Sequence, residues 1–114
     1  MEQSKVLAAL SALSHEARLE LVRLLIDAGD EGLPAGTIGQ KLGLGASRLS
    51  FHLSALEQAG LIRSRRASRN VIYSVDRDGM GSTIGFLLHD CCREHPEVVA
   101  CCHKRAQSDP ADEG

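Results

Sequence analysis

Ser47-Arg48-Leu49-Ser50-Phe51-His52-Leu53-Ser54-Ala55-Leu56-Glu57-Gln58-Ala59-Gly60-Leu61-Ile62 is the stretch whose pattern decides the fold. Leu49, Leu53 and Leu56 recur at helical spacing and define one buried side of a helix over about 46–59. Ser47, Ser50 and Ser54 line another side. Serine is a poor helix former, because its hydroxyl competes for nearby backbone groups. Three of them on one face mark a surface kept small for close approach. Arg48 and His52 supply longer donors near the N-terminal half, and Gly60 ends the helix.

Upstream, Leu33-Pro34 opens a short helix over 34–42, with proline where a missing N–H costs nothing. Ile38 and Leu42 face inward, and Gly43-Leu44-Gly45 breaks the helix. A short helix, a tight glycine turn and a second helix make a helix-turn-helix unit. Downstream the period switches. Leu61-Ile62 and Val71-Ile72-Tyr73 with Val75 are two β-prone runs separated by Arg65-Arg66-Ala67-Ser68-Arg69-Asn70. The expected fold class is therefore mainly α (α+β), a winged helix-turn-helix with a two-stranded hairpin as the wing.

Toward the N-terminus, residues 3–13 read as a first helix through Val6, Leu7, Ala9, Leu10 and Leu13. Ser14 is the expected N-cap of a second helix, with Glu16 at its positive end, the stripe Ala17, Leu21, Leu24, Leu25, Ala28, and Gly29 as its close. After Gly79 a helical pattern returns through Met80, Ile84, Leu87, Leu88 and Cys91, and Pro96 is expected to stop or kink it. Residues 1–105 read as one domain and 106–114 as a disordered acidic tail. The apolar faces of 3–13 and about 80–92 find no partner in so small a chain. A helical interface in a homodimer follows.

With 114 residues and 3% aromatics, the core must be filled by Leu, Ile, Val and Ala, which favours helices. No apolar run nears the ~18 residues of a membrane span, and no secretory pattern opens the chain. Membrane spans, collagen, coiled-coil rods and large multidomain enzymes are excluded, and a cytoplasmic location with reduced thiols is expected. The net charge of −2 hides a basic block. Residues 41–77 carry +5, whereas the first 40 residues carry −3. Such a block fits a polyanion. The expected partner is double-stranded DNA, with Ser47, Arg48, Ser50 and His52 toward the major groove. Arg65, Arg66 and Arg69 on the hairpin would meet phosphates or the minor groove.

Two stretches strengthen that reading. Leu10-Ser11-Ala12-Leu13-Ser14-His15-Glu16-Ala17-Arg18-Leu19 and residues 47–62 resemble the opening and the recognition helix of ArsR/SmtB-type metal-sensing repressors. Arg66-Ala67-Ser68-Arg69 followed by Tyr73 is similar to their wing, with Ser68 where glycine is usual. The resemblance covers roughly residues 5–95 and implies a metal-responsive repressor; the two-fold dimer inferred from the apolar faces implies an imperfect palindrome as its target. It also directs attention to the inducer site. Residues 31–38 hold no cysteine, so the thiol box that some members carry there is absent. His89, Asp90, His95 and Glu97 do not reproduce the family's zinc pattern.

What remains is the segment 91–102, with Cys91-Cys92 and Cys101-Cys102. In this family a vicinal cysteine pair here implies trivalent arsenic or antimony as the inducer. The chemistry agrees: As(III) and Sb(III) are thiophilic, and three thiolates in a shallow pyramid suit them. A continuous helix would hold Cys91 and Cys101 about 15 Å apart, so the chain must turn back at Pro96 or a partner subunit must supply the second pair. Zinc or cadmium held by these cysteines and neighbouring histidines, a thiol redox switch, and inert buried thiols stay open as alternatives. A small thiol oxidoreductase or metal chaperone is the alternative of a different class. It would want Cys-x-x-Cys at a helix start after a strand, which is missing, so no enzyme is expected.

Overall fold

In the computed structural model of the chain, which describes residues 2–107, helices dominate and a small sheet closes one side. The helices α1 (Gln3–Leu13) and α2 (Glu16–Ala28) are followed by a 3-10 turn, Gly29–Glu31, and by β1 (Leu33–Pro34). Then come α3 (Ala35–Leu42), α4 (Ala46–Gln58), β2 (Ile62–Ala67), β3 (Asn70–Val75) and α5 (Arg77–Gly85). A π-helical turn, Phe86–Cys91, and α6 (Pro96–Gln107) complete the order. One compact unit ends at Thr83 and a second begins at Ile84.

Three local expectations change. Ser14 does not cap α2; its N–H bonds the Ser11 carbonyl at 3.2 Å and so closes α1. The residue before α2 is His15, extended at φ −161°, which leaves only two residues between the helices. Pro34 is not inside α3 either. At φ −66° and ψ 149° it is extended, and it pairs with Ile72 while Leu33 pairs with Tyr73. The wing is therefore two strands of a three-stranded antiparallel sheet, in the order β1-β3-β2. Two residues can form a strand here because β3 presents an open backbone edge beside them.

Gly32 makes that pairing possible. It sits at φ +68°, and a Cβ there would run into the Tyr73 carbonyl. The second hairpin partner runs in register from Ile62 opposite Val75 to Ala67 opposite Asn70.

One cluster of buried side chains joins these elements: Ala9 and Ala12 of α1, Leu21, Val22 and Leu25 of α2, Ile38 of α3, Leu49, Leu53 and Leu56 of α4, then Leu61, Ile62 and Val75. Each fully buried Leu or Ile contributes roughly 1.5–3 kcal/mol, so a core without aromatics still fixes the position of α4. The start of α5 is set by Asp76, whose Oδ1 accepts from the Gly79 N–H at 3.0 Å. The helix thus begins at Arg77, ahead of the glycine that the sequence pattern suggested.

Within the second unit, the break precedes the proline. Cys92 N–H bonds the Leu87 carbonyl at 2.9 Å, the i to i−5 spacing of a π turn. Arg93 and Glu94 both take positive φ, +54° and +51°. Non-glycine residues there are strained by roughly 1–2 kcal/mol each. Pro96 then opens α6, where its lack of an N–H is harmless. Ala106 and Gln107 belong to α6 instead of to a disordered tail, and 108–114 lie outside the described residues.

Candidate nucleic-acid interface

The turn Gly43-Leu44-Gly45 delivers α4 to the surface. Gly43 is left-handed at φ +66° and ends α3; Leu44 N–H bonds the Gly39 carbonyl at 3.0 Å. Leu49, Leu53 and Leu56 face the core, as their spacing predicted, while Ser47, Arg48, Ser50 and Ser54 are exposed. The outer side of α4 is therefore short-chained and polar with one long cation near its N-terminal end. That profile lets a helix approach bases and phosphates closely.

His52 does not lie on that side. It is 4% exposed, and its Nδ1 accepts from Arg18 Nε at 3.2 Å. A ring nitrogen that accepts is unprotonated, so the proton of the neutral ring sits on Nε2. Burial first, then the positive groups of His15, Arg18 and Arg48, push its pKa below the ordinary value of 6.5. The imidazole is neutral at neutral pH. Arg18, which the sequence reading left unassigned, also reaches the Ala12 carbonyl at 3.4 Å and lies 5.4 Å from the Phe51 ring centre. It links α1, α2 and α4. The signal for burial was present, since 49, 52, 53 and 56 form one helical stripe.

The wing carries its arginines on opposite sides, because strand side chains alternate. Arg63 and Arg65 share one side, and Ser64 and Arg66 the other. Arg65 is drawn back to the body, its Nη2 donating to the Glu31 carbonyl at 2.9 Å. Arg66 and Arg69 are exposed, and among the described residues neither has a hydrogen bond or ion pair. Ser64 Oγ donates to Glu57 Oε2 at 2.7 Å and ties the wing to α4. The tip is a two-residue turn with Ser68 at φ +59°, so serine takes the left-handed backbone that glycine would occupy more easily. Tyr73, at the base of the wing, is half-buried; burial, then the charge of Glu57, raise its pKa and keep the phenol protonated.

The four cysteines belong to the second unit, after this surface in the sequence. All four are free. Cys91, Cys101 and Cys102 are exposed and Cys92 is half-buried. Burial, then a hydrogen bond and charge from Cys91, push the Cys92 thiol up. The two vicinal thiols are thus in contact, at the junction of the π turn and the positive-φ pair. His89 Nδ1 and Glu94 Oε2 lie 3.2 Å apart across the same bend. Among the described residues, no three His, Cys, Asp or Glu side chains are gathered to hold a metal ion. Cys101 and Cys102 on α6 do not complete a site with Cys91 and Cys92 within the one chain.

Comparison with known proteins fits this geometry. A helix-turn-helix domain family matches residues 13–65. The HTH-type transcriptional regulator YgaV of Escherichia coli is 34% identical over 85 residues, which span 75% of this chain and 84% of that protein. HlyU from Vibrio cholerae superposes with a TM-score of 0.63 at 30% identity, covering 81% of this chain and 99% of that one. The same protein has also been solved as reduced HlyU, with a TM-score of 0.60 at 29% identity, covering 77% of this chain and 88% of that one. The homodimeric winged helix-turn-helix DNA-binding domain of Mb0332 from Mycobacterium bovis shares the fold, with a TM-score of 0.63 at 24% identity over 82% of this chain and 83% of that one. Among the described residues no helix is long and apolar enough to cross a membrane.

Proposed function

The chain belongs to the ArsR family of winged helix-turn-helix transcriptional regulators, and from that premise we propose that it is a homodimeric repressor released from its operator when its C-terminal thiols take up trivalent arsenic or antimony. The observation that carries the DNA half is the exposed Ser47-Arg48-Ser50-Ser54 side of α4 together with Arg66 and Arg69 of the wing, whose side chains have no hydrogen bond or ion pair among the described residues. Two such units related by a two-fold axis read a palindrome whose half-sites lie about one helical turn apart. Leu7 of α1 and Ile84 of α5 are 57% and 51% exposed, an apolar cost that a second subunit removes. The homodimeric relative supports the same arrangement.

The inducer half rests on donor chemistry. Arsenite condenses with three thiols, forming three As–S bonds and releasing three waters; no electron changes hands. Cys91 and Cys92 supply two of the thiols side by side, and Cys101 or Cys102 the third, gathered by movement of 91–102 or donated by the other subunit. The positive-φ pair Arg93-Glu94 and the π turn, which continues directly from α5, are the irregular backbone through which this segment would rearrange. A coupling of about 2.7 kcal/mol suffices for a 100-fold loss of DNA affinity.

A second reading, a thiol redox switch using the same cysteines, is favoured by the relative solved in a designated reduced form. One experiment separates them. The reduced protein on a labelled duplex is titrated in parallel with arsenite, zinc, cadmium and peroxide. Release by arsenite that is lost in Cys91→Ser and Cys92→Ser supports the first reading. Release by peroxide alone moves the function to redox sensing, and release by zinc or cadmium alone moves it to divalent sensing.

A further inference from the structure

His15 stands immediately before α2, and Ser47 and Arg48 lie in the first turn of α4. All three line one cleft of about 340 Å³, together with Phe51 and His52. No carboxylate contributes to that lining. Arg18 lies behind it, over the Phe51 ring at 5.4 Å and bonded to His52 Nδ1 at 3.2 Å. The His15 and His52 rings meet edge to face with centres 4.7 Å apart. The cleft is thus built from cations and donors.

His52 supplies an observation independent of charge. It is more than nine-tenths buried, and Arg18 occupies its Nδ1, so Nε2 carries the proton. No described side chain accepts that proton. Among the described residues no buried side-chain nitrogen is left without a partner, so Nε2 must reach the surface, and the cleft is the opening that His52 lines. A donor on a buried ring, fixed by the Arg18 bond and opening on a cleft lined by Arg48 and His15, suits an anion. Both helices that border the cleft also begin without a side-chain cap, which leaves N–H donors of their first turns unspent. The depression of the His52 pKa by His15, Arg18 and Arg48 reports the same positive field.

We propose that this cleft seats one phosphodiester of the DNA backbone, bound by Arg48, His15 and the Nε2–H of His52. In this arrangement α2 touches DNA as well as α4 and the wing. The inference rests on the DNA-binding reading and adds to it a contact from outside the helix-turn-helix. It also reassigns His52, from a reader of bases to a donor that fixes the register of α4 against one strand. Arg18 is then a positioning residue. It holds the His52 tautomer that donates.

His15 is exposed, so His15→Ala removes a lining group without disturbing the core. Wild type, His15→Ala and Arg66→Ala are titrated on a duplex selected by the wild type and on an unrelated duplex. Both are read by fluorescence anisotropy at pH 7.5, with circular dichroism to confirm folding. The expected result is about tenfold weaker binding of His15→Ala to both duplexes, the signature of a lost charged hydrogen bond that carries no sequence information. Duplexes with a single neutral methylphosphonate then map the contact. One position should weaken wild type and leave His15→Ala nearly unaffected. If His15→Ala binds like wild type, or every methylphosphonate costs the two proteins the same, the seat is wrong. In that case a weakened Arg66→Ala leaves the DNA-binding reading standing, whereas failure of wild type to bind any duplex removes both.

Discussion

Replacing Arg66 by alanine should change how binding depends on salt more than it changes the protein. Arg66 projects from β2 on the side away from Arg65, and among the described residues its side chain has no hydrogen bond or ion pair. Its loss leaves no broken internal contact. If it neutralises one phosphate per subunit, a dimer loses two contacts, and the slope of log K against log salt falls by about 1.8. Between 50 and 200 mM salt, a fourfold change, wild type should therefore lose about 12-fold more affinity than Arg66→Ala. Arg69→Ala should behave alike. Arg65→Ala should change the slope less, because its guanidinium is drawn to the Glu31 carbonyl at 2.9 Å. Fluorescence anisotropy on a labelled duplex across that salt range reads all three. An unchanged slope in both Arg66→Ala and Arg69→Ala would refute the assignment of these arginines to phosphate. So would a larger slope change in Arg65→Ala than in either.

Three further outcomes follow from single features of the structure. Gly32→Ala should destabilise the fold by at least about 2 kcal/mol, from left-handed strain plus loss of the β1–β3 pairing, and a urea midpoint equal to wild type would contradict that. His52, with its folded pKa below 6.5, resists a proton that the unfolded chain accepts. Its contribution to stability is full above about pH 6.5 and declines as pH falls toward its depressed value. Urea midpoints between pH 7.5 and 5.5 should show that decline in wild type, and a slope as steep in His52→Gln would sink it. Cys91→Ser and Cys92→Ser should bind the duplex within about twofold of wild type when no inducer is present, since neither lies in the helix-turn-helix or the wing. A large loss of ligand-free binding would place the thiols in the DNA contact itself.

The helices were legible because each buries a periodic stripe. Leu21, Leu25, Ile38, Leu49, Leu53 and Leu56 are all buried where their spacing put them. Turns that require a left-handed backbone were equally plain at Gly29 and Gly43. Features made by distant backbone were not. A leucine and a proline become strand β1 only because Ile72 and Tyr73 lie opposite, and before folding Pro34 reads naturally as a helix start. His52 shows the same limit for function. Read as a polar residue on a polar helix it points outward, yet it stands in the 49–53–56 stripe, and Arg18, 34 residues away, supplies the bond that makes its burial tolerable. For the thiols, the sequence shows four cysteines in two adjacent pairs, and among the described residues no three ligating side chains are gathered. Bringing Cys101 or Cys102 to Cys91 depends on a bend or a second subunit, and neither is a property of local spacing.

Sequence reading by a dimer through α4 is tested by selecting duplexes from a random-sequence pool with the reduced protein, then repeating the selection with Ser50→Ala. The expected result is enrichment of an imperfect palindrome with half-site centres about 10 base pairs apart, and altered base preference inside each half-site for the variant. Absence of enrichment, or a single half-site without symmetry, would contradict a dimer that reads DNA through α4.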